Sequence, residues 1–176
     1  MLLAVDVGNT NIHLGVYAGV GDHARLVRDW RIHTDPHCTA DELAWAFRGM
    51  LGDDIEQVTG VSALSTVPSL LRELRVMVPR YFGNGPHVLL EPGVRTGVPL
   101  LVDNPKEVGT DRVANCLAAH TEFGGPCIVV AFGTATVVDA QNRIVTTGDD
   151  PADVPAGSVL LDPRHLDGPI FADASL

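Results

Sequence analysis

Apolar runs and alternating patterns divide the chain into short strands and amphipathic helices. The apolar run Leu2–Val7 predicts a buried strand, and the alternation in Asn11–Ala18 predicts its hairpin partner. A third strand is predicted over His23–Thr34. Thr39-Ala40-Asp41-Glu42 has the pattern of a capping box, which predicts a helix reaching about Leu51. The apolar stripe expected on this helix consists of Leu43, Phe47, Met50 and Leu51.

After this helix the pattern alternates between strands and helices. The predicted elements, in order, are a strand over Gln57–Thr66, a helix from Pro68 to about Tyr81, a strand over Pro86–Glu91, a loop over Pro92–Pro105, a helix over Val108–Phe123, a strand over Cys127–Gly133, and a hairpin from it through Thr134–Asp139 and Arg143–Thr147. Three antiparallel strands followed by this alternation indicate an α/β fold with a mixed sheet. We expect a first domain over residues 1–124 and a partial second domain with a tail over residues 125–176.

Composition narrows the class of partner. The 176 residues are 45% hydrophobic, which is enough for a substantial core. The formal net charge of −10 disfavours binding to nucleic acid or to an anionic membrane. Cys38, Cys116 and Cys127 are widely spaced, as expected for free thiols in a reducing compartment. Without a signal-type leader or a long apolar run, the sequence predicts a cytoplasmic protein.

The turn after the first strand has the residues of a phosphate-binding loop. Gly8 allows close approach of the backbone to a phosphate, and turn N–H groups can form an anion-binding nest. Asn9 and Thr10 add neutral donors, and the Asp6 carboxylate could hold Mg²⁺ directly or through water. An ordinary hairpin turn, in which Asn and Gly are common, is the alternative interpretation.

Two further segments could serve phosphoryl transfer. Asp111 lies in the first turn of a predicted helix, where it could accept a hydroxyl proton or simply complement the helix dipole. Arg112 could orient a carboxylate or phosphate, or form a surface ion pair. Gly133 and Thr134 follow a second apolar strand and could contact phosphate, unless they form only a glycine-kinked hairpin.

In combination, these segments resemble the type III pantothenate kinases of the actin/hexokinase/Hsp70-like ATPase superfamily. The resemblance runs from Leu2 to about Gly148 and is specific because several motifs occur in order. These motifs are Asp6-Val7-Gly8-Asn9-Thr10, Trp30-Arg31-Ile32, Leu64-Ser65-Thr66-Val67-Pro68, Pro92-Gly93-Val94-Arg95-Thr96-Gly97, and Asp103-Asn104-Pro105-Lys106-Glu107-Val108-Gly109-Thr110-Asp111-Arg112.

The resemblance implies a ribonuclease-H-like fold and ATP-dependent phosphorylation of pantothenate, the first step of coenzyme A synthesis. It implies that Asp6, Gly8, Asn9 and Thr10 face the ATP phosphates and Mg²⁺, and that Thr134 contacts phosphate. Asp111 would be the base for the pantothenate hydroxyl, with Gly109 and Arg112 lining the pantothenate site. The family works as a dimer of two-domain subunits.

The sequence departs from the family pattern at two places, and both departures make functions other than pantothenate phosphorylation conceivable. Ala131 occupies the position of an Asp that serves a monovalent cation site in the family, so this site is expected to be lost. The sequence after Gly148 also lacks the family's Gly-Gly-x-Ile-x-Pro-Gly segment, so we expect an incomplete second domain. A non-catalytic binding or regulatory subunit, half of a heteromer, or a homologue recruited to another pathway are therefore alternatives. A homodimer or heteromer is expected in each case.

Overall fold

A mixed five-stranded sheet organises the first part of the chain. The computed structural model describes residues 1–19, 21–94, 96, 104, 107–123, 128–132 and 136–140. The strands are β1 (Leu2–Val7), β2 (Asn11–Ala18), β3 (Arg25–His33), β4 (Gly60–Ser65), β5 (His87–Leu90), β6 (Ile128–Phe132) and β7 (Thr136–Ala140). The helices are α1 (Ala40–Leu51), α2 (Pro68–Phe82) and α3 (Thr110–Phe123).

The strand order confirms the predicted mixed α/β sheet. The sheet runs β3-β2-β1-β4-β5, and β1 lies at its centre. β1 pairs antiparallel with β2 and parallel with β4, while β3 and β5 extend the antiparallel and parallel sides. This arrangement is the mixed sheet of ribonuclease-H-like folds, as the sequence predicts.

The chain divides into two units, Met1–Glu91 and Pro92–Leu176. The first unit holds the five-stranded sheet with α1 and α2. In the second unit, β6 and β7 form an antiparallel hairpin, and α3 packs against both strands. The predicted domain boundary at residue 124 stays a prediction.

The core of the first unit lies between one face of the sheet and helices α1 and α2. Alternate residues of β1 and β2 face it, because successive side chains of a strand point to opposite faces. Its largest fully buried side chains are Phe47, Leu3, Ile12, Leu14, Leu43, Leu51, Leu70, Leu74, Met77, Val7 and Val16. The prediction for Met50 was wrong: this side chain is 39% exposed, whereas its neighbour Leu51 is buried.

The capping box predicted at Thr39 is present and begins α1 at Ala40. The Glu42 N–H donates to the Thr39 hydroxyl at 3.3 Å, and the Thr39 N–H donates to the Glu42 carboxylate at 2.8 Å. The second bond holds the pKa of the Glu42 carboxyl below its ordinary value. The Ala40 N–H is also satisfied, since it donates to a Glu73 carboxylate oxygen of α2 at 2.9 Å.

Local turns shorten two predicted strands. Gly52–Gln57 forms 3₁₀ turns, so β4 begins at Gly60 rather than at Gln57. A shorter 3₁₀ turn at Gly21–His23 delays the start of β3 to Arg25. α2 and α3 lie within two residues of the predicted bounds at each end. Residues 95, 97–103 and 105 of the predicted loop and the segment Arg143–Thr147 lie outside the described residues.

Truncation of Leu74 should destabilise the first unit strongly. Leu74 of α2 is fully buried, so Leu74→Ala should lower the free energy of unfolding by about 2–5 kcal/mol. Val76 of the same helix is 51% exposed, so the control Val76→Ala should change it by less than about 0.5 kcal/mol. Urea unfolding of both variants measures the difference, and equal losses would contradict the assigned helix face.

Candidate functional site

The Asp6 loop leaves the sheet at the carboxyl end of its central strand. Val7 is fully buried in the core, so Asp6 must point to the opposite face, where its side chain is exposed. Asn9 and Thr10 follow in the turn and are also exposed. The structure therefore brings Asp6, Gly8, Asn9 and Thr10 together at one end of β1.

Thr34, just after β3, anchors this loop from one side. Its hydroxyl donates to the Gly8 carbonyl oxygen at 2.7 Å, and its N–H donates to the Thr10 carbonyl oxygen at 2.9 Å. Thr34 is only 3% exposed, so these bonds are shielded from competing water. The two bonds fix the path of the backbone through the turn.

Thr66, just after β4, anchors the loop from the other side. Its N–H and hydroxyl both donate to the Val7 carbonyl oxygen, at 2.9 and 3.3 Å. The Gly8 N–H closes the turn by donating to the Asn11 carbonyl oxygen at 3.0 Å. A Cβ at Gly8 would lie 3.2 Å from that same oxygen, a tight contact that favours glycine at this position.

This hydrogen bonding directs the loop carbonyls of Val7, Gly8 and Thr10 towards protein donors. Within the described residues, Asn9 makes no hydrogen bond, so its N–H and side-chain amide are available to a ligand. The carbonyl oxygens of the loop are already hydrogen-bonded, whereas the N–H donors of Asn9 remain exposed. Such an arrangement can bind an anion, as backbone nests do. Sequence reasoning missed the anchoring roles of Thr34 and Thr66, because the partner of each hydroxyl lies far away along the chain.

The start of α3 holds the second group of predicted residues. Gly109 precedes the helix, and its carbonyl accepts the first helical bond from the Val113 N–H at 3.3 Å. A Cβ at Gly109 would lie 2.4 Å from Asp111 Oδ1, a contact too short to exist. The half-buried Asp111 carboxylate therefore folds back over Gly109, and only glycine permits this position.

Thr110 places a buried hydroxyl group at the start of α3. The residue is 7% exposed, and its hydroxyl has no hydrogen-bond partner within the described part of the chain. Val113, Cys116 and Ala119 bury the apolar face of the same helix. Asp111 and Arg112 are half-buried beside that face.

The second predicted phosphate loop is only partly described. Gly133 and Thr134 lie outside the described residues. Ala131 is half-buried in β6, where it pairs with Val137 of β7. β6 and β7 form an antiparallel strand pair, as β1 and β2 do.

The metal ligand that the Asp6 loop offers suits Mg²⁺ better than it suits a metal whose ligands all come from the protein. Asp6 offers an exposed carboxylate, and Mg²⁺ commonly uses one or two carboxylates, phosphate oxygens and retained waters. Among the described residues, no group of three or more His, Cys, Asp or Glu side chains could hold a metal ion. In that same part of the chain, no helix is both long and apolar enough to cross a membrane.

A sheet of order β3-β2-β1-β4-β5, antiparallel on one side of its central strand and parallel on the other, is the arrangement of the actin-like class of ribonuclease-H-like folds. Within that class, the chain belongs to the type III pantothenate kinase family, whose profile matches residues 2–144.

Relatives named type III pantothenate kinase are closely similar to the chain. The Rhodococcus erythropolis protein is 66% identical over 139 residues, covering 79% of this chain and 51% of its own length. The Nocardia farcinica protein is 67% identical over 139 residues, with 79% and 53% coverage. The Saccharopolyspora erythraea protein is 64% identical over 143 residues, with 80% and 54% coverage. The chain thus spans about half the length of the relatives it matches.

Solved structures show more distant likeness. An Aquifex aeolicus Ppx/GppA phosphatase matches with a TM-score of 0.46 and 10% identity, covering 79% of this chain and 47% of its own. Thermus thermophilus RuvC matches with a TM-score of 0.36 and 20% identity, covering 52% and 63%.

Removal of the Thr34 hydroxyl should loosen the loop. Thr34→Val keeps the shape but leaves the Gly8 carbonyl without its donor, which should cost about 1–3 kcal/mol in unfolding free energy. Thr66→Val is the matched control and should cost less, because the Thr66 N–H still bonds Val7. Hydrogen exchange at Gly8 and Asn11 should accelerate in Thr34→Val. Identical behaviour of the two variants would argue against Thr34 as the main anchor.

Proposed function

We propose that this chain contributes the phosphate loop and the catalytic base for ATP-dependent phosphorylation of pantothenate. The observation that carries the proposal is the Asp6 loop, whose carbonyls bond inward to Thr34 and Thr66 and leave the donors of Asn9 available. Family membership, shown by the match over residues 2–144, supports pantothenate as the acceptor.

Each group has a role in this proposal. Asp6 orients Mg²⁺, while Gly8, Asn9 and Thr10 bind phosphate oxygens, joined by Gly133 and Thr134. Bound Mg²⁺ supplies neutralisation of the phosphate charge. These backbone and side-chain groups hold the phosphate chain in position. Positioning and charge stabilisation account for most of the catalysis in phosphoryl transfer.

Asp111 acts as the base for the acceptor. Its carboxylate takes the proton from the attacking hydroxyl as the oxygen bonds to the γ-phosphorus, and ADP leaves. Gly109 allows the carboxylate to lie over the helix start, and Arg112 orients the acceptor. Residues 1–124 would form the first domain and residues 125–176 part of a second, within a homodimer or heteromer.

A non-catalytic binding or regulatory subunit is the second candidate. Ala131 favours it, because a methyl group in β6 cannot bind a monovalent cation. A subunit of this kind would retain nucleotide binding at Asp6 but show no turnover. Turnover therefore separates the two candidates.

Substitution of the two carboxylates should separate nucleotide binding from chemistry. Asp6→Asn should weaken Mg-ATP binding at least about tenfold, because it removes a charged ligand of the metal. Asp111→Asn should retain ATP affinity and lower kcat by about 100-fold or more, through loss of the base. Calorimetry measures binding, and a coupled ADP assay with pantothenate measures turnover.

The control for both carboxylate variants is Asp53→Asn, an exposed carboxylate in the 3₁₀ turn after α1. It should change neither quantity. Wild-type protein that gives no heat with millimolar Mg-ATP would sink the nucleotide proposal. Wild-type binding without turnover would instead favour the non-catalytic subunit.

A methyl group at Gly109 should disable the base without removing it. Gly109→Ala would push Asp111 Oδ1 away from its position, and a displacement of about 1 Å can cost roughly 100-fold in rate. The control Gly49→Ala adds a methyl on α1 where nothing lies within 4 Å. Gly109→Ala should lose turnover while both variants keep ATP affinity. Full activity of Gly109→Ala would exclude Asp111 as the positioned base.

A further inference from the structure

The motif Trp30-Arg31-Ile32 in β3 places a charged side chain between two apolar ones. Trp30 pairs with Leu14 and Ile32 pairs with Ile12, so both point to the core face of the sheet. Arg31 must then point to the opposite face, where it is exposed. That is the face that carries Asp6.

Strand register places Arg31 in one row with Asp6. Arg31 is the partner of His13 in β2, and His13 is the partner of Asp6 in β1. Directly opposed residues of antiparallel strands have Cβ atoms about 4.5–5.5 Å apart. Since strands lie about 4.8 Å apart, Arg31 and Asp6 are separated by two such spacings, with His13 between them.

The Arg31 guanidinium forms no salt bridge with a carboxylate of the described residues. Within the described residues, the Arg31 side chain makes no ion pair or hydrogen bond. Three of the six other arginines of the first unit form ion pairs: Arg28 with Asp54, Arg75 with Glu91, and Arg80 with Asp41. In a chain of net charge −10, an unpaired guanidinium in line with a phosphate-type loop is an available anion contact.

Protection of a sheet edge is the simpler explanation of a charge on β3. β3 is an edge strand, and charged side chains discourage edge-to-edge pairing. Arg25 can serve the same purpose, since it is exposed on the same strand and pairs with Ala18, far from the loop. A comparison of Arg31 with Arg25 therefore separates edge protection from ligand binding.

We propose that Arg31 is a further binding residue of this site and donates to the phosphate chain of the nucleotide held at the Asp6 loop. The planar guanidinium fork suits bidentate contact with phosphate oxygens, and His13 provides a second donor between Arg31 and Asp6. The inference rests on the proposed nucleotide site and adds a residue to it. It also gives a binding role to the motif Trp30-Arg31-Ile32, which has no part in the roles proposed for the pantothenate site and the catalytic base.

The test uses the full 176-residue chain and Mg²⁺ with inorganic tripolyphosphate, a probe without adenosine contacts. Arg31→Gln should weaken tripolyphosphate binding by roughly tenfold or more, as for one charge-assisted hydrogen bond. Arg31→Lys should keep part of the affinity. The matched control Arg25→Gln removes the same charge from the same strand and should weaken binding less than about twofold.

Each result gives a decision. Equal losses of tripolyphosphate affinity in Arg31→Gln and Arg25→Gln would show that only the net charge matters, and would overturn the inference. Unchanged affinity in Arg31→Gln, with binding lost in Asp6→Asn, would overturn the inference while the nucleotide proposal stands. Absence of wild-type binding to both tripolyphosphate and Mg-ATP would overturn both. A selective Arg31 effect without pantothenate phosphorylation would support the inference and contradict the proposed turnover.

Discussion

The alternation of side chains along β1 is the constraint on which the rest of the site depends. Leu3, Val5 and Val7 fill the core, so the intervening Asp6 is held on the opposite face. β1 is paired on both sides, and a slip of one residue would bury the carboxylate and expose three apolar side chains. Burial of the apolar set therefore fixes the position of Asp6, and no contact of the carboxylate itself is needed for this.

The same pairing explains why the loop is already ordered without a ligand. Thr34 and Thr66 follow the strands β3 and β4, whose registers are set by the sheet. Their hydrogen bonds turn the loop carbonyls inward, which removes acceptors that would repel a phosphate. A ligand that binds to this loop path loses less conformational entropy, since these hydrogen bonds already restrict the backbone.

Sequence patterns predicted secondary-structure elements correctly where residues close together in the sequence determine the element. The capping box at Thr39 and the apolar run of β1 each carry their signal within a few residues, and both are present. Met50 was misassigned because it lies at the edge of the apolar stripe, where helix rotation against the sheet decides burial. The roles of Thr34 and Thr66 depend on contacts across 26 and 59 residues, which no local pattern contains. The Arg31 row likewise emerges only from strand register.

Net charge sets a second condition on any phosphate site in this chain. A formal charge of −10 repels a polyanion at long range, but the Debye length at physiological salt is about 8 Å. Beyond that distance the repulsion is largely screened, so affinity must come from donors in direct contact with the phosphates. In the proposed site Asn9 of the loop and Arg31 of the sheet would be donors of this kind, and Mg²⁺ held at Asp6 would add positive charge. The negative net charge therefore does not argue against the proposed site, because at physiological salt the donors within direct contact of the phosphates determine the affinity.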